Sequence, residues 1–197
     1  LKDQQPTAVS NEAELLRYCH AVAGTVGLMM CRVLNCKEHR ADSFAIDLGI
    51  AMQLTNISRD VLEDANMGRR YLPASWVDLP ASVIASADIA CQQPVADATK
   101  RMLDLAENYY QSALLGIQLL PLRSRLSITI ALRVYRQIGW VLKRRGLLWW
   151  QGRVFVSKSE KMLLSLHSLG DLIPVKVPAH KEALHQHLQG LAGVQTE

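Results

Sequence analysis

The chain has 197 residues, of which 49% are hydrophobic and 20% charged; that suits one ordinary domain with a real core and excludes disorder, collagen-like repeats and low-complexity polymers. Its four cysteines, Cys19, Cys31, Cys36 and Cys91, form no CxxC pair, so they are expected to build no disulfide framework and no structural zinc site, and they suit a reducing compartment. The net charge of +4 is uneven, with seven Lys and Arg against eight Asp and Glu over residues 12–73 but twelve against three over residues 100–161.

In chain order, Ser10-Asn11-Glu12-Ala13-Glu14 reads as an N-cap followed by an acidic first turn, opening a helix through Tyr18 towards Leu34. Gly24 and Gly27 lie inside it. Each costs ~1 kcal/mol relative to alanine, so the pair points to close packing or room for a ligand. A second helix is expected over residues 39–66, ending at Gly68. Pro73, Pro80 and Pro94 then mark a long irregular connection. A third helix covers residues 96–119, and Pro121 opens a fourth that runs through Tyr135 towards Arg145 and stops at Gly146. Residues 153–156 are a weak strand candidate. Ser157-Lys158-Ser159-Glu160 caps a further helix, and the segment after Pro174 reads as a short helix with frayed ends. The fold class is all-α, with a single domain over residues 1–197 in which 174–197 form a peripheral tail.

The chemistry concentrates in residues 48–64, Leu-Gly-Ile-Ala-Met-Gln-Leu-Thr-Asn-Ile-Ser-Arg-Asp-Val-Leu-Glu-Asp, and in Gly68-Arg-Arg-Tyr-Leu-Pro73. On a helix Asn56, Asp60 and Asp64 stand at i, i+4 and i+8, on one stripe with Gln53, while Ile50, Leu54, Ile57 and Val61 face the core. Taken alone, DxxxD on a helix is usually a solvated acidic face. Two carboxylates one turn apart after an amide oxygen also suit magnesium, a hard cation that keeps waters and bridges to phosphate oxygens. Like charges at i,i+4 repel unless something compensates them. Arg59, Arg69, Arg70 and Tyr71 stand ready for phosphate oxygens.

This stretch resembles the second aspartate-rich motif of the squalene and phytoene synthases, the head-to-head prenyltransferases. Tyr18-Cys-His-Ala-Val-Ala-Gly-Thr-Val-Gly27-Leu-Met-Met is similar to the family's tyrosine-headed helix with glycines along the prenyl pocket. Leu-Pro-Leu-Arg123-Ser and Val134-Tyr-Arg-Gln-Ile resemble later helices of bacterial phytoene synthases. The resemblance covers residues 15–169.

The resemblance implies the all-α terpenoid synthase fold and an allylic prenyl diphosphate substrate, geranylgeranyl diphosphate for a phytoene synthase. Magnesium, or manganese in its stead, would draw off the diphosphate. The carbocation would attack a second substrate to give a cyclopropyl diphosphate, which rearranges to the linear product. Asn56, Asp60 and Asp64 match the family's metal positions. Arg59 and Tyr71 match positions that contact diphosphate or close the site, and Arg69 lies beside them. Gln53 matches a pocket-facing amide, Tyr18, Ala23 and Gly24 the substrate-lining helix, and Tyr135 and Arg153 a later tyrosine and arginine that hold diphosphate. Leu28, Met29 and Met52 are the side chains expected to set pocket depth, and they do not decide between phytoene and the squalene, dehydrosqualene or presqualene diphosphate products. The family's first aspartate-rich motif lies upstream of the Tyr18 helix, where Asp3, Glu12 and Glu14 form no DxxxD. With Leu1 rather than Met at its start, the chain is expected either to lack an N-terminal part, and to be inactive alone, or to be a non-catalytic relative serving assembly.

Other features carry less. The basic residues accompany no RNP, zinc-finger or helix-turn-helix pattern, so no nucleic-acid partner is expected. His180, His185 and His187 read as solvated tail residues, and Cys19 and Cys31 as small core residues. Lys143-Arg144-Arg145 with Trp149 and Trp150 suits either ordinary packing or the headgroups of an anionic bilayer, so the expected location is cytoplasmic with a salt-sensitive contact at the inner membrane.

Overall fold

Asn11 starts the first helix by accepting a hydrogen bond from the Glu14 amide at 3.0 Å, while the Glu14 carboxylate accepts from the Ser10 amide at 2.7 Å. These bonds satisfy donors that a helix start leaves orphaned. The structure, a computed structural model, describes residues 8–194; Asp3 lies outside them. Glu12 is also engaged, pairing with Arg101 at 3.1 Å.

Helix α1 (Glu12–Cys19) continues through a π-helical turn (His20–Gly24) into α2 (Thr25–Val33). The helix expected over 39–66 is two, α3 (Ala41–Arg59) and α4 (Val61–Asn66), parted at Asp60 with φ −103° and ψ 17°. The break is shallow. The Asp60 amide still donates to Asn56 O at 2.9 Å and the Asp64 amide to Asp60 O at 2.8 Å. After α5 (Ala81–Ser86), α6 (Ile89–Gly116) contains Pro94, where the sequence predicts irregular chain. Pro94 comes early in α6, where little helix precedes its ring, so the lost hydrogen bond is tolerated. Helix α7 (Leu122–Arg144) follows Pro121, and α8 (Lys158–His167) begins with a capping box of Ser157 and Glu160. No strand forms over 153–156. Val154 and Val156 are buried beside Leu103, Ile138 and Leu142 while Phe155 is exposed, so the alternation is present but no partner strand exists among the described residues.

Helix α3 is the centre of the packing, set between the α1–α2 arm and α6. Ile50, Leu54, Ile57 and Val61 are all buried, as their stripe predicts. The arm and α3 meet backbone to backbone. A Cβ on Gly27 would stand 2.2 Å from Ala45 O, and one on Gly49 would stand 2.3 Å from Ala23 O. All four cysteines are buried and free.

The segment after Pro174 is not the frayed periphery expected of it. Among its described residues it holds one 3-10 turn, Glu182–His185, yet Leu188 is fully buried and Tyr109 donates its hydroxyl to Leu184 O at 2.7 Å. Arg40 donates to the carbonyls of Val177 and Pro178, both at 3.1 Å. Apolar Leu184, Leu188, Leu191 and Val194 hold this segment against the core. Among the described residues no helix is long and apolar enough to cross a membrane.

Adding one methyl group tests the packing. Gly49→Ala should cost about 1–3 kcal/mol in urea unfolding, because its Cβ meets backbone that cannot yield. Gly170→Ala, whose Cβ would meet no atom within 4 Å, should be near neutral. Equal stability of the two variants would contradict the close approach.

Candidate active site

An elongated cavity of about 320 Å³ runs beside α3 from Ala41 to Asn56, a helix length of roughly 22 Å. Its walls are largely apolar, including Val26, Met30, Phe44 and Met52, and its polar lining residues include Gln53, Asn56 and Tyr135. Gln53 and Asn56 occupy the last turns of α3 before Asp60. Four of the expected site residues, Ala23 and Gln53 of the pocket, Asn56 of the metal set and Tyr135 of the diphosphate set, therefore share one cavity. Gly24 does not line it. It is buried against the His20 ring, 3.2 Å from where its Cβ would be, and beside Gly49. Of the three side chains expected to set depth, only Met52 lines the cavity. Met29 is mostly exposed, and Leu28 packs towards Gly193; helical phase puts Met30 at the wall instead.

Just beyond the cavity, Asp60 is gripped by two arginines. Arg59 makes a bidentate pair with it at 2.7 and 2.8 Å, and Arg153 Nε reaches Oδ1 at 2.8 Å. Arg153 comes from the loop before α8, 93 positions away in a contact that no local pattern announces. Burial, and then the Asp60 charge one turn away, push the Asp64 carboxyl up to about 6, while Arg69 and Arg153 pull the other way. The Tyr18 and Tyr71 rings stack 5.0 Å apart. Burial, reinforced by Tyr71, holds the Tyr18 hydroxyl far above the ordinary tyrosine range, and Asp64 adds to the shift. Arg69 is exposed, and its amide donates to Asp64 O at 2.9 Å. Arg70 departs from the expected phosphate role: it is bound to Asp78 at 3.2 Å and to Leu79 O at 3.1 Å.

Glu63 was missed from sequence. Its Oε1 lies 3.7 Å from Arg153, and its Oε2 is buried with no hydrogen-bond partner. It follows the aspartate pattern by position, but only the fold shows that it points inward. The donor set of Asn56, Asp60, Glu63 and Asp64 is all oxygen, with one buried oxygen unpartnered and one carboxyl held protonated more readily than usual. That chemistry fits a hard divalent cation. The carboxylates do not form a closed cage. Among the described residues, the one three-group His, Cys, Asp and Glu cluster whose donors all lie within 4.8 Å of one another is Asp47, His180 and His185. An ion at Asp60 and Asp64 would thus complete its shell with water or with oxygens of an anion.

Two further expectations are corrected. His180 and His185 are not solvated: their Nε2 atoms donate at 2.7 and 2.8 Å to the carboxylate of fully buried Asp47. The 143–150 segment is no free cationic patch. Lys143 pairs with Asp104 at 2.6 Å, Arg144 with Glu160 at 2.7 Å, and Arg145 donates to Gly152 O at 3.0 Å. Trp149 is buried and donates its indole N–H to Gln92 O at 3.0 Å. The neighbouring acids and the core claim these groups.

Residues 1–160 match a model of the squalene/phytoene synthase family. The chain is 38% identical over 179 residues to a 15-cis-phytoene synthase of Enterobacter agglomerans, covering 90% of this chain and 61% of that protein. It is 42% identical over 150 residues to a 15-cis-phytoene synthase of a Paracoccus species, covering 76% and 48%. Among solved structures, a dehydrosqualene synthase in complex with a ligand superposes with a TM-score of 0.71 at 26% identity, over 84% of this chain and 59% of that one. Squalene synthase HpnC from Alicyclobacillus acidocaldarius shares the fold with a TM-score of 0.64 at 19% identity, over 74% and 56%. The chain spans about half to three fifths of the length of these curated relatives.

The raised Asp64 pKa has a signed consequence for stability. Its folded value of about 6 exceeds the ordinary 3.8, so the neutral carboxyl favours folding below pH 3.8 and that contribution is lost as pH rises through 6. Asp64→Asn should therefore raise the Tm of the metal-free protein at pH 7.5 and have little effect near pH 4. A Tm lowered at pH 7.5 would show that the carboxylate is stabilised where it stands.

Proposed function

Given that the chain belongs to the squalene/phytoene synthase family, we propose that it carries the second aspartate-rich wall of a head-to-head prenyltransferase that condenses two geranylgeranyl diphosphates to phytoene, as its relatives' names suggest. The observation that supports this most is the run of α3 through the shallow break at Asp60 into α4. An apolar cavity follows the helix to Gln53 and Asn56, and the next turns supply Asp60, Glu63 and Asp64. A prenyl tail suits the cavity, and its diphosphate suits the charged end.

In this reading Asn56, Asp60 and Asp64 hold magnesium, or manganese, which when bound neutralises the charge of the departing diphosphate. Arg59 and Arg153 bring two guanidinium groups to one carboxylate, and guanidinium binds phosphate oxygens with the same forked geometry. Tyr71 and Tyr18, stacked beside Asp64, shield the charged end from water. The apolar walls keep water from the carbocation on its way to the cyclopropyl diphosphate, and the Tyr135 ring lines the same space, where an aromatic face favours a cation. A squalene or dehydrosqualene product is the second reading, since both structural neighbours bear such names; they are 26% and 19% identical, against 38% and 42% for the phytoene synthases.

Peripheral contact with a membrane forms part of this proposal, because substrate tails and product are lipid-soluble. The exposed side chains of Met162, Leu163 and Leu166 on α8, near Phe155 and beside Lys158 and Lys161, support it better than the 143–150 segment does. Cations beside apolar side chains suit the boundary of an anionic bilayer. Leu163→Ser with Leu166→Ser should abolish co-sedimentation with anionic vesicles at low salt, while Lys143→Ala leaves it intact. The reverse pattern would contradict this placement.

The catalytic assignment is tested in the full polypeptide. Asp60→Asn and Asp64→Asn should each lower turnover of geranylgeranyl diphosphate by at least a hundredfold with helicity unchanged. Near-normal turnover by both would overturn the assignment.

A further inference from the structure

A second cluster, of residues that do not line the cavity, is anchored on α3 at Asp47, 13 positions before Asp60. Asp47 on α3 is fully buried, and both of its oxygens face imidazoles of the C-terminal segment. His180 Nε2 stands 2.7 Å from Oδ2 and His185 Nε2 stands 2.8 Å from Oδ1. The three ligand atoms lie within 4.8 Å of one another. Ser112 of α6 donates its hydroxyl to Oδ2 at 2.6 Å, and Phe44 meets the His180 ring edge-on with centroids 5.2 Å apart, so carboxylate and ring are both oriented from outside the cluster.

We propose that Asp47, His180 and His185 form a binding site for zinc or a similar transition ion, which staples the C-terminal segment to α3. Two imidazole nitrogens and one carboxylate oxygen are a borderline-soft donor set that suits zinc and not magnesium, so this site and the Asp60–Asp64 end select different ions. The separation of the histidines, His-x4-His, is within the range of zinc ligand pairs. The Ser112 hydroxyl supplies the outer hydrogen bond that a ligating carboxylate ordinarily has.

Charge argues the same way. Asp47 is fully buried, and among the described residues no lysine or arginine pairs with its carboxylate, whose partners are the two histidines and Ser112. A divalent ion supplies a positive charge there. Donors of a tetrahedral zinc shell stand roughly 3.3 Å apart, so loading parts the ligating Asp47 oxygen from the imidazole now hydrogen-bonded to it by roughly half an ångström. The histidines lie on a segment with one short 3-10 turn, which can accommodate that shift. The His180 side chain keeps 13% of its surface exposed, which gives an ion and a fourth, water ligand their approach.

The test is titration of the EDTA-stripped full chain with zinc chloride at pH 7.5, read by calorimetry and by Tm. The site predicts one zinc per chain at micromolar affinity or tighter, and a Tm that rises with zinc and falls again with EDTA. His185→Gln keeps a hydrogen-bond donor but removes the ligand, so it should weaken zinc at least tenfold and abolish the zinc-dependent rise. Asp64→Asn should retain both, which separates this site from the proposed magnesium end. Absence of stoichiometric zinc binding by the wild type would overturn the proposal whatever the variants do. Undiminished binding by a folded His185→Gln protein would do the same, leaving the cluster as a hydrogen-bonded clasp.

Discussion

Backbone contact between the first helical arm and α3 is the constraint on which the rest of the molecule depends. Two helices normally stand 8–10 Å apart because their side chains intervene. Here Gly27 meets the Ala45 carbonyl and Gly49 meets the Ala23 carbonyl with no room for a Cβ. That closeness fixes both the rotation and the height of α3. With α3 fixed, its Met52, Gln53 and Asn56 become cavity wall, its Ile50 and Leu54 become core, and its end delivers Asp60 where Arg59 and Arg153 can meet it. The π-helical turn lies in the same stretch of the arm, from His20 to Gly24, and such turns commonly adjust side chains around functional sites.

The charged end is not fully compensated within the fold. Asp60 is compensated by two arginines, yet Asp64 next to it is pushed towards its neutral form and Glu63 keeps a buried oxygen unpartnered. Buried polar groups left short of partners cost free energy, and a site that carries such a cost recovers it when its ligand arrives. The basic half of the sequence supplies Arg153 to this end, but most of its remaining charge is spent inside the fold, as Arg136 on Glu107, Arg133 on Asp171 and Lys143 on Asp104 show.

The helical framework could be read from sequence because its signals are local. The Asn11 cap, the Ser157–Glu160 capping box, Pro121 and the apolar stripe of α3 each act within a turn or two. The Asn56-Asp60-Asp64 stripe is local in the same sense, and so were the cavity residues on α3. What could not be read depends on partners far along the chain. Arg153 is expected at the diphosphate end only from the family resemblance, and nothing local announces its pairing with Asp60; Trp149 finds the Gln92 carbonyl, and His180 and His185 find Asp47 across more than 130 positions. A lone aspartate in mid-helix and histidines in a polar tail carry no periodicity that links them. Which methionine faces the cavity is a matter of helical phase, since Ala23, Val26, Gly27 and Met30 line it at i, i+3, i+4 and i+7 while Met29 is mostly exposed.

The central claim is that the end of α3 binds a divalent cation together with diphosphate. Its most direct measurement is paramagnetic broadening of amide resonances by manganese(II), with and without inorganic diphosphate. The account predicts loss of signal centred on Asn56, Asp60, Asp64 and Arg153 that requires diphosphate and disappears in Asp64→Asn. Broadening centred elsewhere, or unchanged by diphosphate and by that substitution, would contradict it.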